Sequence, residues 1–192
     1  MRKFSITLLV AALTFAIPAF AKDYKVGERL AAKPAAKHSA QAYRTITWDD
    51  LMPKDWDPAA PFKGLDLSKL KDSDPKAMEA LARMRKEWAE APVNKELDGQ
   101  NIRIPGFIVS LDGGPDELRE FLLVPYFGAC IHVPPPPANQ IIHVMPEKPA
   151  KGFRSMDTVW VSGTIKLEPS QTTMGNSGYI LTAKKVLPYQ GP

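Results

Sequence analysis

Residues 159–168 read VWVSGTIKLE. Val159, Val161, Ile165 and Leu167 alternate with Ser162, Thr164, Lys166 and Glu168, the period of two expected for a strand with one buried face. Gly163 sits at the centre of the run. A glycine inside a strand marks a sharp bend or the close approach of another backbone, and barrel strands need such bends. Working upstream, Ile102 and Ile104 alternate with polar neighbours, and after Pro105-Gly106 the apolar phase moves by one to Phe107, Val109 and Leu111. A one-residue slip at a Pro-Gly pair predicts a β-bulge that bends a long first strand and lets these five residues share one core.

Asp112-Gly113-Gly114-Pro115 is a strong turn signal, and it leads to a second strand over about 119–126 that is apolar on both faces. A third strand is expected over about 139–145. After the 159–168 run, Met174-Gly175-Asn176-Ser177-Gly178 reads as a loop, and Tyr179, Leu181 and Ala183 open a fifth strand. These patterns predict a mainly β fold, a small five-stranded OB-like Greek-key barrel with one N-terminal amphipathic helix. OB barrels commonly carry a helix between strands three and four, but Pro146–Met156 is too rich in proline for one. The only strong helical pattern lies earlier, over residues 75–91. Asp74 is a good N-cap, Pro75 suits the first helical position, Met78, Leu81, Met84 and Trp88 recur on one face, and Pro92 ends the run. This helix is expected to cover the barrel with that stripe. Thr47 and Asp50 have capping-box spacing, so a short turn should form there and stop before Pro53, with Trp48 and Leu51 anchored in the core.

The N-terminus has three parts: Met1-Arg2-Lys3, an apolar run from Phe4 to Ile17, and Pro18-Ala19-Phe20-Ala21. That is the pattern of a secretory signal peptide cleaved after Ala21, with an apolar run shorter than the roughly 20 residues of a membrane span. The expected organisation is 1–21 signal peptide, 22–45 flexible tether and 46–192 a single domain. No cysteine stands at the cleavage site, where Lys22 follows Ala21, so no lipid anchor and no membrane anchor are expected. Loss of Arg2 and Lys3 takes the formal net charge from +4 to +2. With no basic stripe interleaved with aromatic residues, nucleic acid is not an expected partner.

The chain has one cysteine, Cys130. It cannot form an internal disulfide, so in an oxidising compartment it must be buried, metal-bound or poised for an external partner. It lies in residues 124–143, VPYFGACIHVPPPPANQIIH. Residues two apart in an extended chain share a face, which sets Cys130 beside His132. Pro134–Pro137 form a stiff polyproline segment without backbone donors. Asn139 and Gln140 supply amide donors for its carbonyls or for a ligand, with Tyr126 nearby, and His143 follows on the returning strand.

Three readings are open. Cys130 and the histidines could be buried, hydrogen-bonded structural residues. Cys130, His132 and His143 could be metal ligands for zinc or copper(I), with water, a partner or His38 as the fourth donor. Cys130 and His132 could form a nucleophilic thiol pair in a thiol-dependent enzyme or redox protein, although no third orienting acid follows by motif. No G-x-S-x-G elbow, phosphate-binding glycine loop or H-E-x-x-H helix is present.

The VPYFGACIHVPPPPANQIIH string, with LDGQNIRIPGFIV upstream and VWVSGTIKLE downstream, resembles an uncharacterised bacterial family, domain of unknown function number 3299. The resemblance spans about Ile46–Tyr189. It implies a periplasmic protein without an assigned activity, encoded beside ABC-type transporter components in zinc-responsive clusters. On that footing the expected function is a non-enzymatic binding or accessory protein linked to zinc homeostasis. Its partner would be a membrane transporter component or a metal-carrier protein. A pure interaction module using the proline loop is the further alternative.

Overall fold

The alternating runs become five long strands in the computed structural model, which describes residues 24–31, 43–64, 74–114, 117–129 and 135–191. The barrel strands are β1 (Asn101–Gly114), β2 (Glu117–Val124), β3 (Ile142–Pro146), β4 (Thr158–Lys166) and β5 (Tyr179–Pro188). Their order around the barrel is β1-β2-β3-β5-β4, with β4 pairing back onto β1. Every barrel pair is antiparallel except β3–β5. That closed order is OB-like, as the sequence patterns predicted. Among the described residues the single α-helix is α1 (Pro75–Ala89).

The barrel bends differently from the expectation. β1 pairs with β4 in unbroken register from Asn101↔Thr164 to Phe107↔Thr158, so there is no bulge at Pro105-Gly106. Ile102, Ile104 and Ile108 face the barrel core, while Phe107 and Val109 belong to a second apolar cluster outside it, against which Leu111 packs. The apparent phase slip comes from a strand buried on both faces. A period of two cannot separate that case from a bulge. Residues 24–31, within the stretch read as a tether, help to cover the outer face. Leu30 is buried there, Tyr24 meets the Phe107 ring edge-on at 5.3 Å, and the Gly27 N–H donates to Phe127 O at 2.9 Å.

Gly106 is needed for proximity. A Cβ there would lie 2.7 Å from Leu123 Cγ and 2.9 Å from Val124 O, at the point where β1 passes from pairing with β4 to pairing with β2. The irregularities in register fall elsewhere, at Ser110–Gly113 of β1 and between Ser162 and Gly163 of β4. At Gly163 a side chain would collide with the Thr182 carbonyl of β5, which is why this strand bends at glycine.

One end of the barrel is sealed by residues 46–51 and 92–97, which bring Trp48, Leu51 and Leu97 into the core. Thr47 N–H and Oγ1–H both donate to Asp50 Oδ2, at 2.7 and 2.8 Å, fixing the short turn at Asp49–Leu51. Burial of a side chain such as Leu51 contributes about 1.5–3 kcal/mol. The Trp48 indole N–H donates to Pro105 O at 2.8 Å, so the plug is also tied to β1.

Helix α1 starts as the sequence indicated, with Asp74 accepting from Lys76 N–H at 2.9 Å. Its apolar stripe does not cover the barrel. Ala80 and Met84 are buried, but Met78 is 59% and Leu81 39% exposed. The helix packs instead against the turn at Ala60–Phe62, and the Trp88 indole donates to Pro58 O at 3.0 Å. The 46–51 and 92–97 segments already fill the barrel end, which leaves the helix a peripheral position.

Candidate functional site

Ile142 and Val144 point into the barrel, so His143 between them points out. It pairs with Leu122 on β2, and Glu120 lies two residues back on the same face. His143 Nε2 is 2.6 Å from Glu120 Oε1, and Nδ1 is 2.8 Å from Ser170 Oγ. Ser170 opens the hairpin Ser170–Thr172/Gly175–Ser177 that links β4 to β5. Across that hairpin it pairs with Ser177, whose hydroxyl accepts the His143 backbone N–H at 3.1 Å. The same hydroxyl has a single proton to offer between Ile141 O at 2.8 Å and Tyr179 O at 2.6 Å. Hairpin and strand are thus joined at both the backbone and the ring of His143.

The imidazole is almost wholly buried, with 7% of the residue exposed, while the Glu120 side chain is 36% exposed and reaches solvent. An ionised carboxylate only accepts, so it places the imidazole proton on Nε2, and Nδ1 then accepts from the Ser170 hydroxyl. This order is the reverse of a serine-hydrolase triad, in which Nε2 faces the serine and Nδ1 the acid. The arrangement is better suited to holding a ring in place than to activating Ser170.

The trio occupies the second and third strands and the connection between the fourth and fifth, the region where OB barrels bind ligands. The same hairpin lines a cavity of about 280 Å³ through Gly175 and Asn176. Its other walls are Met84, Arg85, Trp88 and Ala89 of α1, with Pro135, Pro136 and Ala138.

A family model described as "Protein of unknown function (DUF3299)" matches residues 48–188. The chain belongs to the DUF3299 family. A solved crystal structure of a DUF3299 family protein from Pseudomonas aeruginosa PAO1 is 35% identical, with a TM-score of 0.61 over 79% of this chain and 99% of that one. No curated protein matches the chain.

In this DUF3299 chain, Cys130 and His132 lie outside the described residues, as does His38. Ala129 is buried with Leu122 and Ile141 on the outer face, and Pro135 and Pro136 line the cavity. Tyr126 packs on the same outer cluster and bridges to Arg29.

Asn139 and Gln140 are buried in the turn Ala138–Gln140. Their amide N–H groups donate at 2.8 Å to Pro92 O and Trp48 O, so they tie the motif to the barrel plug rather than to the proline carbonyls. Asn139 Oδ1 and Gln140 Oε1 have no hydrogen-bond partner among the described residues. Sequence reasoning missed Glu120 and Ser170. Glu120 left a trace, as a charge immediately before the apolar run FLLV, but pairing it with His143 requires the β2–β3 register. Ser170 left none.

Proposed function

We propose that this DUF3299 protein is a non-enzymatic accessory protein of the periplasm that binds a metal ion. Cys130, His132 and His143 are its donors, and a membrane transporter component or a metal carrier is its partner. The observation that supports this reading is the state of His143. It is a buried imidazole on the outer face of the barrel, with one ring nitrogen held by a hydroxyl and the other hydrogen-bonded to a solvent-reaching carboxylate. A ligand histidine typically donates its second ring N–H to a fixed partner, and Ser170 Oγ, 2.8 Å from Nδ1, stands where it could accept one. The donor chemistry fits: thiolate and imidazole suit both zinc and copper(I).

Cleavage after Ala21 would release the mature protein into the periplasm. Three protein ligands leave a coordination position open, which suits transfer better than permanent structural use. The test is metal analysis and equilibrium titration of the mature chain without a histidine tag, beside Cys130→Ser and His132→Ala. One site per chain is expected, strongly weakened in both variants. Equally weak binding by wild type and Cys130→Ser, with no change in stability on adding metal, refutes the reading.

A further inference from the structure

We propose that the cavity between α1 and the hairpin linking β4 to β5 binds a small amphipathic carboxylate, an apolar or aromatic body carrying one anionic group. The inference is independent of the metal reading and uses other residues. Two motifs conspicuous in the sequence meet at this cavity. One is the Met84–Trp88 part of the helical stripe, which does not join the barrel core. The other is the proline run, which contributes Pro135 and Pro136. At about 280 Å³ the space lies at the small end of ligand pockets, which span about 300–1,000 Å³.

The walls define the body of the ligand. Met84, Trp88, Ala89, Pro135, Pro136 and Ala138 are apolar, and Met84 and Trp88 stand one helical turn apart on one face. The Trp88 indole donates to Pro58 O at 3.0 Å, so its ring is anchored. Proline rings are rigid as well. Walls fixed in advance lose little freedom when a ligand enters, which favours binding.

Arg85 and Asn176 define the polar end. Neither side chain has a hydrogen-bond or ion-pair partner among the described residues. Arg85 is the one charged residue in the described lining. A guanidinium binds a carboxylate through two parallel N–H bonds, and the Asn176 amide can donate a further one. A single cation matches a single anionic charge, so a monocarboxylate suits the site better than a doubly charged phosphate monoester.

The experiment titrates the mature chain calorimetrically with 2-naphthoate, its neutral isostere 2-naphthamide, and acetate. Wild type, Arg85→Gln and Ala89→Trp are compared, with circular dichroism to establish folding. Both substitutions lie at exposed helix positions, and Ala89→Trp puts bulk into the cavity. Wild type should bind 2-naphthoate at one site per chain, about tenfold or more tighter than 2-naphthamide, and acetate hardly at all. Arg85→Gln should weaken 2-naphthoate about tenfold or more and leave 2-naphthamide within about twofold. Ala89→Trp should abolish binding of both. Wild type that fails to bind 2-naphthoate, or binds it no better than 2-naphthamide, overturns the proposal. So does a folded Ala89→Trp variant that binds as wild type does. A wild type that is dimeric in sedimentation, and monomeric as Ala89→Trp, assigns the cavity to a second copy of the chain and overturns it too.

Discussion

Replacing Tyr179 with Phe removes one oxygen from the sealed end of the barrel. The Tyr179 hydroxyl donates to Leu51 O at 2.6 Å and accepts from Asn94 N–H at 2.6 Å, linking β5 to both segments of the plug. Each such bond contributes about 0.5–1.5 kcal/mol net, and a buried group left unpaired costs more. The Asn94 N–H also lies 3.3 Å from Leu51 O, so the two abandoned groups keep each other as partners. The expected loss at pH 8 is therefore about 2 kcal/mol, or about 4–8 °C in Tm for a domain of this size.

The penalty should also depend on pH. Burial pushes the Tyr179 phenol up from 10.0 to about 12, against a smaller opposing effect of the Asn94 hydrogen bond. The folded phenol is thus the weaker acid. Its contribution is complete below pH 10 and falls as pH rises through about 12, because the unfolded chain loses its proton first. At pH 11 wild type should have lost about 1.4 kcal/mol from this group alone, a loss that Tyr179→Phe cannot suffer. Urea denaturation of both proteins at the two pH values should show the variant's deficit shrinking from about 2 to about 0.6 kcal/mol. A deficit under about 0.5 kcal/mol at pH 8, or one unchanged at pH 11, refutes this account of the barrel seal.

Gly106→Val should destabilise by about 1–3 kcal/mol through overlap with Leu123 and the Val124 carbonyl, and a smaller loss for Gly106→Ala should follow in thermal melts. An unchanged Tm for the Val variant would mean that β1 and β2 stand further apart there. Gly163→Ala meets backbone rather than a side chain, at Thr182, so it should cost about 3 kcal/mol or more, and wild-type stability would refute the bend. On the proposed metal reading, binding must displace the Cys130 thiol proton, so affinity in titrations should fall steadily as pH drops below neutral; a flat profile would exclude Cys130 as a donor.

The legible part of the fold was local. Alternation at Val159–Leu167 and the Asp74-Pro75 helix start each depend on neighbours a few residues apart, and each stands in the structure, whereas Asp112–Gly114, read as a turn, continue the first strand. The slip at Pro105-Gly106 was misread because Phe107 and Val109 are apolar for a reason that lies elsewhere in the chain. Leu30, Ala129 and Ile141 cover them, and no property of β1 itself announces that cover. The helical stripe failed in the same way: Met78 and Leu81 have the spacing of a buried face, but the plug residues Trp48, Leu51 and Leu97 had already filled the place they would occupy.

The candidate site divides along the same line. By itself the sequence singled out Cys130, His132 and His143 as residues whose type and spacing could suit a metal, and it marked out the five strands of an OB-like barrel. Only the tertiary structure decided that His143 faces outward between Glu120 and Ser170, residues 23 and 27 positions away. Strand register and hairpin docking set those distances. Both follow from closing the barrel around its core, a summed free energy over many buried side chains that no short window of sequence contains.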